Sequence, residues 1–148
     1  MKYFVYFSAT GNGDYLAQLL EEKGYTSVKV ELVKPIKKVG FFTILKCGGS
    51  AMKGTKADIK DINLELKEDD EVVIGSPIWN DRLSTPINTV LDKLPLNKET
   101  TKFILYPAGE GTKKSLKQIA KLGFTSTPLV ISYPLKKQEQ ARQLLENL

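Results

Sequence analysis

Residues 3–13 read Tyr3-Phe4-Val5-Tyr6-Phe7-Ser8-Ala9-Thr10-Gly11-Asn12-Gly13, an apolar β-type run delivered straight into a polar, glycine-bearing turn. An amphipathic helix pattern follows, with Tyr15, Leu16, Leu19 and Leu20 recurring at helical spacing. Glycines at such a turn let backbone N–H groups approach an anion closely. A helix N-terminus adds unpaired donors and the positive end of a dipole. The hydroxyls of Ser8 and Thr10 can donate further hydrogen bonds. The turn therefore suits a phosphate-bearing ligand. The same residue types also serve as ordinary caps and turns, so this segment alone leaves both readings open. It is not a Walker loop, because no Gly-Lys-Ser/Thr follows, and it lacks the three-glycine spacing of the dinucleotide fingerprint.

Working outward, strands and helices alternate. Residues 2–7 read as a strand and about 13–23 as a helix closed by Gly24. Residues 26–32 alternate apolar and polar, as in an edge strand. The basic stretch 33–56 holds Val39, Phe41, Phe42, Ile44 and Leu45, and is expected to pack on the sheet, partly as a helix. Residues 57–70 read as a polar connection. Val72-Val73-Ile74 is a continuously apolar, buried type of strand. Thr85 as N-cap and Pro86 at the first helical position open the next helix, with Ile87, Val90, Leu91 and Leu94 on its buried face. A strand at 101–106, a lysine-rich helix to about 122, a strand at 128–133 and a helix at about 135–147 complete the chain. Five strands alternating with helices predict an α/β fold with a parallel sheet covered on both faces, in one domain spanning 1–148. Ligands bind such sheets outside the carboxyl ends of the strands. That rule groups three loops: 8–13, 75–84 and 107–112.

Composition narrows the chemistry. The chain of 148 residues suits a single core. No apolar run approaches the roughly 20 residues of a membrane span, and the start lacks the pattern of a signal peptide. The single cysteine, Cys47, excludes an internal disulfide framework and suits a reducing, cytoplasmic compartment. Histidine is absent, which removes histidine-dependent triads and the commonest metal ligand. Redox or group-transfer chemistry would fall to a cofactor. The formal net charge is +5, almost all from lysine; Arg82 and Arg142 are the only arginines. Lysines concentrate between Lys34 and Lys60 and again at Lys113, Lys114, Lys117 and Lys121. Aromatic residues are not interleaved with them as a base-stacking platform requires. The pattern favours a solvated face, or a docking face for an acidic protein, over nucleic acid.

At the three loops the sequence resembles flavodoxins, over almost its whole length. The most specific parts are Ser8-x-Thr10-Gly11-Asn12 and Gly75-Ser76-Pro77-Ile78-Trp79, the latter followed by Ser84-Thr85-Pro86-Ile87. Gly40-Phe41-Phe42 with Gly48-Gly49 is similar to a segment of many short bacterial flavodoxin-like proteins. The resemblance implies a flavodoxin-like three-layer sandwich, with a five-stranded parallel sheet in the order 2-1-3-4-5 and flavin mononucleotide (FMN) as cofactor; flavodoxin is itself a standard example of this topology. It implies that Ser8, Thr10, Gly11, Asn12 and Gly13 cradle the flavin phosphate. Ser76, Pro77, Ile78, Trp79 and Asn80, in the stretch up to Arg82, would border the ring, with Trp79 against one face. Pro107, Ala108, Gly109 and Glu110 would meet its polar edge.

Three departures accompany the resemblance. Flavodoxins usually carry a hydroxyl residue where this chain has Gly13. Many place a tyrosine in the third loop, whereas 107–112 has no aromatic. Electron-carrying flavodoxins tend to be acidic, and this chain is basic. Three functions follow as expectations: an FMN-binding electron-transfer protein with a redox partner protein of acidic character; a small FMN-dependent NAD(P)H/quinone-type reductase, which an open third loop favours; and a noncatalytic module that binds an acidic partner.

Overall fold

A computed structural model describes residues 1–35, 56–109 and 111–148. The expectations for 36–55, including the segment around Gly40-Phe41-Phe42, and for Glu110 lie outside the described residues. The elements are β1 (Lys2–Tyr6), α1 (Asn12–Glu21), β2 (Thr26–Lys29), β3 (Glu71–Trp79), β4 (Arg82–Leu83), α2 (Thr85–Lys93), β5 (Lys102–Tyr106), α3 (Lys113–Lys121), β6 (Leu129–Val130) and α4 (Gln138–Leu145).

The sheet runs β2-β1-β3-β5-β6, with every neighbouring pair parallel. This is the expected five-strand order, with the two-residue β4 added as an antiparallel partner of β3. Period-2 side-chain alternation divides β1 between two cores. Phe4 and Tyr6 face α1 and α4, packing with Leu16, Leu20, Val73, Ile104, Ala141 and Leu145. Val5 and Phe7 face the opposite layer, with Ile74, Leu83, Ile87, Val90, Phe103 and Ile119. Each fully buried aliphatic or aromatic side chain contributes about 1.5–3 kcal/mol relative to exposure. The result is three layers: helices α1 and α4, the sheet, and helices α2 and α3.

Several boundaries depart from the sequence reading. The third strand does not stop at Ile74 but continues to Trp79. Gly75 and Pro77 conceal this, since both are poor strand formers. Gly75 lies opposite Tyr6 and Ile104, where an added Cβ would come within 2.5 Å of the Phe4 ring. Pro77 comes after the last β1 partner, where β3 has one parallel neighbour instead of two. Helix α2 starts one residue early, with Ser84 rather than Thr85 as N-cap. The strands expected at 26–32 and 128–133 are shorter, and α4 begins at Gln138 rather than near 135. The connection expected to be polar is partly apolar packing. Ile59 is buried and Ile62, Leu64 and Leu66 lie against the second core. Thr89 on α2 pins Ala57 by accepting from its N–H at 3.0 Å and donating to its carbonyl at 2.7 Å. Gly24 closes α1 as expected, at φ 84° with its N–H donating to Glu21 O.

The end of the sheet remote from the three loops carries an ionic knot. Glu71 accepts from Tyr25 Oη at 2.5 Å and from Lys102 Nζ at 3.3 Å, with Lys2 Nζ at 3.5 Å. Burial raises its carboxyl, but the Tyr25 hydrogen bond and the two lysines outweigh it, and the net shift is downward from 4.5. A depressed carboxylate contributes stability that is present above its ordinary pKa and is lost as pH falls through the folded value. Glu71→Gln is therefore expected to cost about 1–2 kcal/mol at neutral pH and to flatten the loss of stability below pH 4.5. Urea melts from pH 7 to 3 measure this; parallel wild-type and variant curves would refute it.

Candidate functional site

Strand β1 hands over to the first loop at Phe7, whose N–H donates to Gly75 O at 3.2 Å. Gly11 adopts φ 94° as the N-cap of α1, a left-handed conformation that favours glycine. It has no side chain to cap the first turn. Among the described residues, Ser8 Oγ serves the Asp14 N–H at 3.3 Å. Thr10 is exposed and accepts from Asn12 Nδ2 at 3.4 Å, while Asn12 Oδ1 accepts the Leu135 N–H at 3.1 Å. The loop thus presents neutral donors at a helix N-terminus. Asp14 is turned away onto the sheet, with Lys29 Nζ at 2.7 Å and the Tyr6 hydroxyl donating at 3.0 Å, so its charge is compensated.

Gly13 is glycine for a packing reason. An added Cβ would lie 2.8 Å from Tyr106 Oη, 2.9 Å from Phe7 O and 2.9 Å from Ser8 Cβ. The Tyr106 hydroxyl is buried beneath the loop and donates to Phe7 O. Burial pushes it well above its ordinary value of 10, followed by the charges of Tyr6 and Asp14, so it stays a neutral donor. A hydroxyl contributed by β5 therefore fills the space that a side chain at position 13 would need.

The second segment is an extension of the sheet, which corrects the expected loop 75–84. After Trp79 the chain reverses through Asn80 and Asp81, at φ 50° and 63°, and returns as β4. Positive φ at both central residues marks a type I′ hairpin turn. Trp79 is half-buried and meets Phe7 edge-on, with ring centroids 5.7 Å apart at 88°. Pro77 is half-buried and Asn80 exposed. Ser76 and Ile78 are buried within the strand, not displayed on a loop. Ser76 Oγ accepts the Ser84 N–H at 3.1 Å and lies 3.1 Å from Ser84 Oγ, which fastens the ribbon to the start of α2.

In the third segment Pro107 is buried, while Ala108 and Gly109 are exposed. Gly109 sits at φ 96°, and an added Cβ there would fall 2.6 Å from Tyr133 Oη. Pro107 O accepts the Tyr133 N–H at 3.1 Å. Gly111 faces the Asp81 carboxylate, and the Ser115 N–H donates to Asp81 O at 2.8 Å. All three segments follow the carboxyl ends of parallel strands β1, β3 and β5. Phe7 joins the first to the second through Trp79 and approaches the third through Tyr106. Sequence reasoning missed Tyr106, Tyr133, Leu135 and Asp81. Asn80-Asp81 carried a usable signal, two left-handed-tolerant residues between Ile78-Trp79 and Arg82-Leu83; the other three carried none.

Residues 7–130 match the family model of the NADPH-dependent FMN reductases. The chain belongs to the NADPH-dependent FMN reductase family. The sequence resemblance to flavodoxins thus resolves to a reductase family, and the expected cofactor, FMN, is the flavin that this family is described by. No curated protein matches the sequence significantly. Among solved structures, the chain is similar to a candidate flavoprotein from Bacteroides eggerthii DSM 20697, with TM-score 0.69 and 20% identity over 99% of this chain and 96% of that one. A Lactobacillus acidophilus NCFM flavoprotein in complex with FMN gives TM-score 0.67 and 18% identity over 94% and 96% of the two chains. The apo-form of the Lactobacillus flavoprotein, solved by NMR, gives TM-score 0.62 and 18% identity over 92% and 95%. At these identities the structures attest the fold. Among the described residues no helix is long and apolar enough to cross a membrane.

Proposed function

We propose that the protein is a cytoplasmic, FMN-binding reductase that takes reducing equivalents from NADPH and passes them to a small acceptor such as a quinone. Family membership over residues 7–130 carries the reading. The site's own chemistry agrees with it. Gly11, the N-cap at φ 94°, brings no side chain of its own to the first turn of α1, where Ser8 Oγ accepts the Asp14 N–H, and this N-terminus suits a phosphate. Ser8, Thr10, Gly11, Asn12 and Gly13 would hold that phosphate with neutral donors. Pro77, Trp79 and Asn80 would wall the ring on one side, and Pro107, Ala108, Gly109 and Glu110 would meet its polar edge. Ser76 and Ile78 would act from beneath, by keeping the ribbon in register. The third loop contributes no aromatic residue of its own, and its Ala108 and Gly109 are small and exposed, which suits access by a second substrate.

Bound flavin would supply the hydride and electron chemistry. The chain's part is to orient it, to exclude water around Trp79 and Pro107, and to keep Tyr106 protonated under the phosphate loop. No side chain need act as acid or base, in keeping with a chain that has no histidine.

Electron transfer to an acidic protein partner is the second reading. It is supported by Lys113, Lys114, Lys117 and Lys121, exposed along α3 next to the third loop and without carboxylate partners among the described residues. One experiment separates the two. The purified protein is titrated with FMN and followed by visible absorbance and flavin fluorescence, then mixed with NADPH and a quinone. The expected result is a yellow, quenched complex that turns over. A complex without turnover leaves the carrier; no complex at micromolar FMN removes both.

A further inference from the structure

We infer that the turn 133–137 completes the site with two cations, and that Lys136 and Lys137 recognise a phosphomonoester dianion. The inference rests on the reading above and adds a subsite to it. The first loop supplies no positive side chain: residues 8–13 contain no lysine or arginine, and Lys29, nearby, is committed to Asp14. A dianion held there would rely on neutral donors and the α1 dipole. The turn 133–137 is anchored to the loops on both sides of that gap. The Leu135 N–H is bound to Asn12 Oδ1 of the first loop, and Leu135 Cδ2 lies 3.4 Å from where a Cβ of Gly11 would be. The Tyr133 N–H is bound to Pro107 O, and its hydroxyl abuts Gly109 of the third loop.

Tyr133 adopts φ 51°, a left-handed conformation rarely taken by a bulky residue. Its carbonyl then accepts both the Lys136 and the Lys137 N–H, at 3.0 and 2.8 Å. This gathers both ammonium groups around the Tyr133 ring, 5.5 and 5.8 Å from its centre. Both side chains are exposed, and among the described residues neither pairs with a carboxylate, even though Glu139 follows closely. Two unneutralised charges held together by a strained turn, one residue beyond the amide that grips Asn12, form a cationic complement to a neutral phosphate loop. Strain of this kind persists where the surrounding structure enforces it, often at ligand sites.

The dianion has two sources, the 5′-phosphate of FMN and the 2′-phosphate of NADPH. The test is Lys136→Gln/Lys137→Gln, read as two ratios. If the flavin phosphate is the ligand, the variant's FMN Kd rises about tenfold while its riboflavin Kd holds. If the nicotinamide dinucleotide is the ligand, kcat/KM for NADPH falls about tenfold while that for NADH holds. Lys136→Arg/Lys137→Arg keeps the wild-type ratio in either case. Both ratios remaining within about twofold of wild type, or phosphate-bearing and phosphate-free ligands weakening together, overturns the inference. If the wild type neither binds flavin nor turns over, the proposed function fails by itself. Calorimetry with 2′,5′-ADP against adenosine, which carries no phosphate, then decides the subsite. Binding that prefers 2′,5′-ADP and is lost in the Gln variant sustains it, and no such preference overturns it.

Discussion

Gly75→Ala is expected to destabilise the protein by about 3 kcal/mol, near the upper end of overpacking penalties, and to lower Tm by roughly 6–12 °C. Its Cβ would lie 2.5 and 2.7 Å from Phe4 Cζ and Cε2 and 2.9 Å from Tyr6 Cβ. Those rings cannot simply swing aside. Phe4 is fully buried and stacked on Tyr6 with centroids 4.9 Å apart, and Gly75 is flanked by β1 and β5. Thermal and guanidinium melts report the loss. Adding Phe4→Leu to Gly75→Ala should recover part of it. A shift of less than about 1 kcal/mol in the single variant would show that the central strands accommodate a methyl group here.

Gly13→Ala should damage the site more than the fold. The added methyl meets a buried hydroxyl, a backbone carbonyl and the Ser8 side chain, all within 3 Å. The cheapest relief is displacement of the loop, since Tyr106 is locked in the core. We expect a loss of about 1–3 kcal/mol in stability and at least a tenfold weaker Kd for FMN, because misplacing several donors at once forfeits more than one hydrogen bond. Fluorescence titration and thermal melts measure the two effects. Gly13→Ala/Tyr106→Phe removes only one of the three contacts, so its rescue should be partial. Wild-type FMN affinity in the single variant would mean that the loop does not depend on this close approach.

The order of elements was readable because each strand and helix announces itself by its own period. Phe4/Tyr6 against Val5/Phe7, and Ile87 with Val90, need no distant information. The extent of β3 was not readable, because Gly75 and Pro77 look like turn residues in isolation; their strand role depends on Phe4 and on where β1 ends. The glycine-bearing turn between β1 and α1 was visible as Ser8 to Gly13. The reason for Gly13 was not, since it lies in Tyr106, a residue of another strand whose hydroxyl could have pointed anywhere. Tyr133 and Leu135 were hidden in the same way. Their contribution comes from a turn that docks on both loops, and no local pattern encodes that docking. The functional class moved most: the residues alone favoured an electron carrier, and the family match favours a reductase.

The continuation of β3 through Trp79 into a two-residue turn also governs where this protein can change. A wall made of sheet cannot accept inserted residues, because one extra residue would invert every side chain beyond it between the two cores. Pro107, Ala108 and Gly109 lie beyond the end of β5 and under no such register, and a connection there tolerates added length. Changes of length among members of this family should therefore accumulate after β5, while the Trp79 side stays constant in length.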